Sequence, residues 1–404
     1  MISMCKIRAC ICGPGVVFIV LALAACQSAP QRNHGLPPMT SMNVAQLWEP
    51  ADPETYQAPY SIDLKNLHTL DKVLDRLQQQ RLVYVGETHD RFDHHLNQLA
   101  VIKRWYADNP KLAIGMEMFQ QPFQQALDDY IAGSTDEKTF LRAVQYYDRW
   151  RMDYRLYRPI IEFARANHIP VIALDVTDEL RRKIGMQGIE NLTPDDRAQV
   201  PAEIDRSNTE YRELMQAIFQ LHPPVHGQMF ERFMEVQLVR DEAMAQRIAE
   251  YLQQHKDSRM VVLAGGGHLV YGYGIPQRVT RRLPVASAIV LNDVTHEPRP
   301  ELADYVLLPR PAGLPPAGRL GVMLDTSESG VVRITGMSHG SPAIAAGLHK
   351  DDIIAAIDTE ATGDMTDVKF ALAEKKPGDV VMVTVTRKSW LGKVKEMALP
   401  VTLY

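Results

Sequence analysis

Three side chains that could do chemistry follow directly after a short apolar run. The run Leu82–Val85 leads into Gly86, and Glu87, His89 and Asp90 come next. A continuous apolar run of this length is typical of a strand buried on both faces of a parallel sheet. In open α/β sheets, ligands bind at the carboxyl ends of the strands. The sequence therefore predicts that these acidic and imidazole side chains lie at a ligand-binding edge.

Other apolar runs also end in polar residues. The runs 112–116, 170–174 and 260–264 precede Glu117, Asp175 and a glycine run that ends in His268, and a fifth apolar run covers 286–291. Helical segments separate the runs, which predicts a mainly parallel sheet with right-handed crossovers and flanking helices. Strands in such a sheet share one carboxyl edge. We therefore expect Glu87, His89, Glu117, Asp175 and His268 to form one site.

Residues 176–226 interrupt the strand–helix rhythm. They are polar and contain several glycines and prolines, so we interpret them as an inserted helical cap over the site. A long helix is predicted at about 228–254, with Gln237 and Asp241 on its apolar stripe. Polar groups on an apolar face need partners, so these two either point into the site or contact a neighbouring loop. His94 and His95, on the helix after the first strand, are predicted to be structural.

The sequence motifs of several common enzyme and ligand-binding classes are absent from this sequence. The glycine run before His268 is neither a phosphate-binding loop nor a dinucleotide fingerprint, and no Gly-x-Ser-x-Gly elbow occurs. The net charge is −5 and no basic block is present, which argues against nucleic acid as a partner. The remaining inventory is histidine, carboxylate and tyrosine. Imidazole and carboxylate suit first-row metals, and histidine or tyrosine suits haem iron.

Five motifs resemble those of the ChaN-like haem-binding uptake family of the Tiki superfamily. They are Gly86-Glu-Thr-His89, Gly115-Met-Glu-Met-Phe119, the tract Tyr154 to Pro159, Asp241-Glu-Ala-Met244 and Gly265-Gly-Gly-His-Leu269. The resemblance covers about residues 65–295, in order and spacing, and we assign 61–296 to this domain. It implies an α/β fold, a lipoprotein role in haem or iron acquisition, and haem bound by a homodimer with tyrosine and histidine near the iron.

The resemblance implies a set of haem-binding residues without fixing the tyrosine. His89 and His268 are the candidate histidines. Tyr271 and Tyr273 are chosen for their proximity to His268 in the sequence, and Tyr154 and Tyr211 are the alternatives.

Two other hypotheses remain open. The wider superfamily includes metal-dependent peptidases and esterases with a Gly-x-x-His motif and a glutamate. In that case Glu87, His89, Glu117 and His268 would hold a divalent transition metal or polarise water. In the third hypothesis the acids and histidines are structural and the chain is a scaffold.

The amino terminus has the features of a lipoprotein signal peptide at residues 1–25. Lys6 and Arg8 precede an apolar run too short to span a bilayer. Leu23-Ala-Ala-Cys26 resembles the bacterial lipobox, which implies lipidation of Cys26. Gln27 in place of aspartate implies anchoring in the outer membrane, with the domains facing the periplasm. The proline-rich residues 26–60 are predicted to be a tether.

The carboxyl-terminal part is predicted to be a second, small domain. A proline-rich linker at 297–317 suggests loose coupling between the domains. Residues 318–404, with Arg319-Leu-Gly-Val322, Gly340-Ser-Pro-Ala343 and Asp351-Asp-Ile-Ile354, resemble a PDZ domain of the periplasmic-protease type, which is rich in β-strands with a few helices. This resemblance implies that the amides of Leu320, Gly321 and Val322 capture a peptide carboxylate. Leu324 and a helix near 366–375 would line the side-chain pocket.

Two reservations attach to this PDZ resemblance. The domain could have the fold without binding a peptide. Asp352 stands where the family more often has glycine, so we expect local strain in that turn.

Overall fold

The computed structural model describes residues 61–221, 229–293, 299–389 and 392–404. Cys26, the predicted signal peptide and the predicted tether lie outside the described residues. Within the described part, no helix is both long enough and apolar enough to cross a membrane.

The first domain is built on a six-stranded parallel sheet. Its strand order is β3-β2-β4-β1-β5-β6. All five predicted strands are confirmed. The strands are β1 (Leu82–Glu87), β2 (Leu112–Gln120), β3 (Val171–Asp175), β4 (Arg259–Gly265), β5 (Ser287–Leu291) and β6 (Tyr305–Val306).

Two features of this sheet differ from the sequence prediction. Strand β2 runs beyond the predicted apolar segment, so Glu117 lies inside the strand rather than after it. Strand β6 lies within the stretch 297–317 that the prolines predict to be a linker, and it pairs with β5. Leu302, just before β6, is only 2% exposed and packs in a core cluster of the first domain. Part of the predicted linker is therefore sheet.

Helices cover both faces of the sheet. Residues 137–166 form three helices, which are separated where Gln145 and Arg151 adopt positive φ angles of 52° and 66°. The helices before the cap are α1 (Leu70–Arg76), α2 (Phe92–Asp108), α3 (Gln124–Ile131), α4 (Glu137–Ala143), α5 (Tyr146–Arg149) and α6 (Arg158–Ala166).

The predicted cap is helical and packs on one long helix. It contains α7 (Asp178–Gln187), α8 (Pro194–Ala198) and α9 (Thr209–Leu221), and the long helix is α10 (Phe230–Gln254). Buried side chains of α7 pack with Val239, and buried side chains of α9 pack with Met234 and Leu238. The last helix of this domain is α11 (Ile275–Arg282). Helix α10 thus joins the cap to the sheet.

The second domain is an antiparallel sheet with two helices. Its strands are β7 (Val322–Asp325), β8 (Val332–Met337), β9 (Ile353–Ile357), β10 (Glu360–Ala361), β11 (Val380–Lys388) and β12 (Val394–Thr402), and its helices are α12 (Pro342–Ala345) and α13 (Met365–Leu372). The order β12-β11-β9-β8-β7 leaves β7 at an edge, with β10 paired to β9. An edge strand has backbone groups free to pair with an added peptide.

The strain predicted at Asp352 falls on its neighbour. Asp351 has a φ of 71°, the left-handed conformation that glycine adopts most easily. Asp352 is buried and lies 2.6 Å from Arg387 Nε, and it accepts a hydrogen bond from the His349 amide at 2.8 Å. Asp352 therefore stabilises the turn.

The two domains are in direct contact, contrary to the loose coupling that the prolines suggest. Arg142 of α4 lies 2.6 Å from Asp364 and 2.5 Å from Asp367, at the start of α13. Lys138 adds a second cation 2.9 Å from Asp367. Phe370 of α13 packs against the core of the first domain. Helix α13 is therefore held by both charge and apolar contact.

Candidate functional site

Strand β1 delivers Glu87 to the carboxyl edge of the sheet beside a close approach of β5. A Cβ on Gly86 would lie 2.8 Å from a methyl carbon of Leu291, so no larger residue fits without movement. The side chain of Asn292, directly after β5, donates to the Gly86 carbonyl at 2.8 Å. These contacts fix the backbone that carries Glu87.

The carboxylate of Glu87 is buried and surrounded by donors. Oε1 accepts from His89 Nδ1 and from the Tyr157 hydroxyl, each at 2.8 Å. Oε2 accepts from Gln98 Nε2 at 2.9 Å and lies 3.2 Å from His95 Nδ1. Burial alone would raise the pKa of Glu87, but His95 and His89 outweigh it and lower the pKa to about 2. Glu87 is therefore ionised and fully satisfied.

His95 is an imidazolium in this arrangement. Its Nδ1 faces the Glu87 carboxylate, and its Nε2 lies 3.1 Å from the carbonyl oxygen of His89. Both neighbours are acceptors, so both ring nitrogens must carry a proton. Burial lowers the pKa of His95, but Glu87 outweighs burial and raises it. The prediction that His95 is purely structural misses this contact with the site.

A second buried carboxylate, Glu117, is held by an arginine that the sequence analysis did not single out. Arg240 Nη2 lies 2.6 Å from Glu117 Oε1 and 2.7 Å from Asp175 Oδ2. The Gly265 amide donates to Glu117 Oε2 at 2.7 Å. Burial alone would raise the pKa of Glu117, but His268 and Arg240 outweigh it and hold the pKa well below its usual range. Arg240 thereby joins the ends of β2 and β3 to α10.

His268 lies between two carboxylates. Its Nδ1 is 2.5 Å from Asp241 Oδ1, and its Nε2 is 3.4 Å from Glu117 Oε1. Burial lowers the pKa of His268, but Glu117 and Asp241 outweigh both burial and Arg240 and raise it to about 10. Arg240 Nη1, 3.1 Å from Nε2, could donate only to a neutral ring. Because two carboxylates and only one guanidinium surround the ring of His268, its charged form is favoured.

The side chains around Glu87 and those around Glu117 come closest to each other at Gly265. A Cβ at this position would lie 2.9 Å from His89 Cε1, 3.4 Å from His89 Nε2 and 3.6 Å from Glu117 Oε2. The side chain of His89 is 30% exposed, whereas those of Glu87 and Glu117 are at most 1% exposed. Trp150 contacts the edge of the His89 ring, with centroids 4.7 Å apart. We call Glu87, His89, Glu117 and His268 the cleft cluster, and His89 is its most exposed member.

The structure brings most of the sequence-predicted site residues together. The cleft cluster, Asp175 and Asp241 lie together at this edge of the sheet, and Asp241 points into the site through its contact with His268. Gln237 is half-buried and makes no side-chain hydrogen bond among the described residues. The signals for the missed Arg240 and Tyr157 were present, since Arg240 directly precedes the Asp241 motif and Tyr157 lies within the Tyr154 tract.

The four candidate tyrosines lie in three different environments. Tyr271 and Tyr273 stack on each other with centroids 5.3 Å apart, and both are partly exposed. Tyr211 is buried and donates to Asp241 Oδ2 at 2.6 Å. Tyr154 is buried in the aromatic core beside Tyr146. Of the four, only Tyr271 and Tyr273 reach the surface.

A divalent metal does not fit this arrangement. Among the described residues, no group of three or more histidine, cysteine, aspartate or glutamate side chains is placed to hold a metal ion. All four oxygens of Glu87 and Glu117 accept from protein donors, and the guanidinium of Arg240 already lies against Glu117, where a metal ion would have to bind. The metal-dependent hydrolase hypothesis therefore lacks a ligand set here.

Haem iron needs fewer protein ligands than a bare divalent metal, and His89 is the better placed of the two candidate histidines. An axial ligand needs one accessible imidazole nitrogen, with the other oriented by an acceptor. His89 Nδ1 is taken by Glu87, and its Nε2 has no hydrogen bond among the described residues. Both nitrogens of His268 already face charged partners, and its side chain is 12% exposed. His89 therefore fits haem iron better than His268 does.

Comparison with known proteins supports the haem assignment at the level of family. Residues 73–279, just over half of the chain, match the family described as haem-binding uptake, Tiki superfamily, ChaN. Residues 318–400 match the PDZ domain family. Protein RETICULATA-RELATED 5, chloroplastic, of Arabidopsis thaliana is 24% identical over 243 residues, which is 54% of this chain and 32% of that protein. The chain thus spans about a third of that relative's length.

Two solved structures each match a part of this chain. A structure of cofacial heme binding to ChaN of Campylobacter jejuni is 17% identical and covers 59% of this chain and 91% of that chain, with a TM-score of 0.48. A serine endoprotease from Yersinia pestis is 22% identical and covers 22% of this chain and 28% of that chain, with a TM-score of 0.18. The family match decides the assignment: the chain belongs to the ChaN haem-binding uptake family of the Tiki superfamily and carries a PDZ domain after its parallel-sheet domain.

Proposed function

We propose that this protein binds haem at the cleft cluster for haem or iron uptake, as a lipoprotein of the bacterial outer membrane whose domains face the periplasm. The observation that carries the haem proposal is His89, whose Nε2 is free among the described residues while its Nδ1 is held by Glu87. The haem would supply iron as the bound cargo. The chain's own residues bind and orient it.

The contact between Glu87 and His89 supports this role in two ways. A carboxylate on Nδ1 fixes the ring orientation and makes Nε2 a stronger donor to a metal. Gly265 gives the ring its space, because a side chain there would collide with it. Tyr271 and Tyr273 offer a partly exposed aromatic surface near His268, where they would contact the porphyrin or supply a phenolate.

Haemin titration of the described domains, residues 61–404, tests the proposal. We expect a visible-band shift at micromolar protein for the wild type. His89→Ala should weaken haemin binding at least tenfold, which is about 1.4 kcal/mol. His255→Ala is the matched control, because His255 is exposed at the end of α10 and stacks on Tyr251 away from the cleft.

The same titration separates the candidate ligands. If haemin affinity falls in Tyr273→Phe but not in His89→Ala, the iron ligand belongs to the pair Tyr271 and Tyr273. Equal binding by wild type, His89→Ala and a Tyr271→Phe/Tyr273→Phe double variant would contradict a haem site at this edge. A homodimer is part of the proposal, and mass measurement by light scattering with and without haemin tests it.

The PDZ domain is proposed to capture the carboxyl terminus of a partner protein. Strand β7 is an edge strand, and the preceding Gly321 has a φ of 73°, which shapes the loop formed by Leu320, Gly321 and Val322. A Cβ on Gly321 would lie 2.5 Å from Ser341 Cβ, so the loop requires glycine. The half-buried Leu324 faces the PDZ core as a candidate pocket wall.

A library of peptides with free carboxyl termini tests this capture. We expect micromolar binding that is lost when the peptide carboxylate is amidated. Leu324→Glu should abolish it, and Met323→Glu, on the neighbouring exposed position of the same strand, should have less effect. If the domain selects no peptide with a free carboxyl terminus, it has the PDZ fold without a peptide ligand.

The membrane anchor rests on the lipobox sequence. Metabolic labelling with a fatty acid should mark the wild type and leave Cys26→Ser unlabelled. Fractionation should then move the Cys26→Ser protein from the outer membrane to the soluble fraction.

A further inference from the structure

The loop before β7 contains hydrogen-bond donors that the described residues leave unused. The backbone amides of Leu320 and Gly321 donate to no acceptor there. Ser341 Oγ is buried, has no hydrogen-bond partner among the described residues, and lies 3.3 Å from the position that a Cβ on Gly321 would take. Successive backbone N–H groups in a turn form a binding site for an anion. These donors support the proposed capture of a peptide carboxylate, and they place the last residue of the peptide at this loop.

Helix α13 carries Lys369 on the side that faces this loop. Leu372 of α13 and Leu324 of β7 both pack against the PDZ core, whereas Phe370 packs against the core of the first domain. Lys369 is a helical neighbour of Leu372, because residues three apart lie on the same face of a helix. Arg319, directly before the loop, interacts electrostatically with Lys369. Lys369 therefore lies on the groove between α13 and β7.

The side chains of Lys369 and Arg319 form no ion pair within the described part of the chain, and both are exposed to solvent. Lys369 Nζ lies 6.0 Å from the ring centroid of Tyr147 in the first domain. Desolvation by the surrounding protein lowers the pKa of Lys369, Asp153 opposes this, and Arg319 and Arg155 lower it further. Asp153 is itself paired with Arg155 at 2.6 Å. An acidic group from a partner, placed beside Lys369 and Arg319, would offset the repulsion between these two cations.

A peptide added to β7 would place every second side chain toward α13. Side chains of a strand alternate between its two faces, so the last residue and the residue two positions before it point the same way. With the carboxylate at the loop, the last side chain meets the apolar Leu324 and Leu372. Lys369 lies about 4.5 Å from Leu372 along the helix axis, and alternate residues of a strand are about 6.8 Å apart. The long side chain of lysine covers this difference, so Lys369 can reach the side chain two positions before the last.

We propose that the PDZ domain selects carboxyl termini that carry an acidic residue two positions before an apolar last residue. Lys369 forms an ion pair with that acidic side chain, and Arg319 adds positive charge beside the terminal carboxylate. This selection rests on the carboxylate capture proposed above and defines the class of partner, which is a protein whose tail ends in such a sequence.

Fluorescence anisotropy with three peptides tests this selection. The peptides end in Asp-Ala-Leu, Asn-Ala-Leu and Lys-Ala-Leu, each with a free carboxyl group, and are titrated with residues 27–404. We expect the Asp peptide to bind about fivefold more tightly than the Asn peptide, which is the upper end for an exposed ion pair. The Lys peptide should bind most weakly. Raising the salt concentration should reduce the difference between the Asp and Asn peptides.

Variants of Lys369 assign the selection to this side chain. Lys369→Gln should remove most of the difference in affinity between the Asp and Asn peptides. Lys369→Glu should reverse the preference, so that the Lys peptide binds more tightly than the Asp peptide. Lys395→Gln is the matched control, because it removes the same charge from β12, at the opposite edge of the same sheet, and it should keep the wild-type preference.

The outcomes separate this selection from the carboxylate capture on which it rests. Equal affinities of the wild type for the Asp and Asn peptides would overturn the selection and leave carboxylate capture in place. The selection by Lys369 would also be overturned if Lys369→Gln kept the wild-type preference. Failure of all three peptides to bind would contradict carboxylate capture itself and, with it, the selection.

Discussion

The Nδ1 atom of His268 lies 2.5 Å from Oδ1 of Asp241, and the other oxygen of Asp241 accepts from the Tyr211 hydroxyl. Strand β4, helix α10 and the cap therefore meet in one chain of hydrogen bonds. This contact, together with Glu117, keeps His268 charged at pH values at which most histidines are neutral. The cap is thus tied electrostatically to the sheet edge as well as by its apolar packing.

The raised pKa of His268 predicts a loss of stability at alkaline pH. Its pKa is about 10 in the folded protein, against 6.5 for an ordinary histidine. The stabilisation is therefore fully present below about pH 6.5 and is lost as pH rises toward and through 10. Between pH 6.5 and 9 we expect the free energy of unfolding to fall on the order of 2–3 kcal/mol because of this group. Urea unfolding at several pH values measures this fall in the free energy of unfolding.

His268→Gln supplies the comparison for this pH dependence. The variant lacks the titrating ring but retains the lysines and tyrosines that also titrate in alkali. Its unfolding free energy should fall less between pH 6.5 and 9 than that of the wild type. Parallel curves would show that His268 is neutral in the folded protein.

Arg240 is predicted to be the most sensitive residue of the site for stability. Arg240→Leu leaves Glu117 and Asp175 buried without their cation, and breaking such a pair by removing one partner costs about 3–5 kcal/mol. Arg240→Lys keeps the charge but cannot reach both carboxylates in the same geometry, so we expect an intermediate loss. Urea unfolding measures both variants.

Arg212→Leu is the control for this prediction. Arg212 pairs with Glu231 on the surface, with both side chains about half-exposed, and such pairs contribute about 0–1 kcal/mol. A loss for Arg240→Leu no larger than that for Arg212→Leu would contradict the role assigned to Arg240.

The contact between the domains predicts a charge-reversal experiment. Arg142→Asp should repel Asp364 and Asp367 and weaken docking of α13, because two carboxylates would then face a third. Asp367→Arg in the same chain should partly restore the contact. Hydrogen exchange of α4 and α13 is the measurement, and we expect faster exchange in the single variant and recovery in the double variant. Unchanged exchange in Arg142→Asp would show that Lys138 and Phe370 hold the contact without Arg142.

The sequence predicted the sheet and its shared edge well, because apolar strands and their polar ends are local patterns. Glu87, His89, Glu117, Asp175 and His268 could therefore be placed together, whereas Asp241 was left open between the site and a neighbouring loop. It could not predict that Arg240 joins them, since an arginine on a helix is usually exposed and its burial depends on carboxylates from two distant strands. The domain contact was also missed because it depends on residues that are distant in the sequence. The prolines before the second domain indicate a stiff segment of chain, but they do not predict which residues α13 contacts.

A pair of glycine variants tests the position of His89 directly. In Gly265→Ala the new methyl group would lie 2.9 Å from His89 Cε1, so the ring must move away from the strand end and from Glu87. We expect haemin affinity to fall about tenfold while the fold is kept, since Gly265 has a φ of −56°, which alanine adopts freely. Gly267→Ala is the matched control, because the nearest atom to its new methyl group is Ile218 Cδ1 at 3.9 Å. If both variants bind haemin as the wild type does, the ring of His89 is not the iron ligand, and the tyrosine pair becomes the site to test.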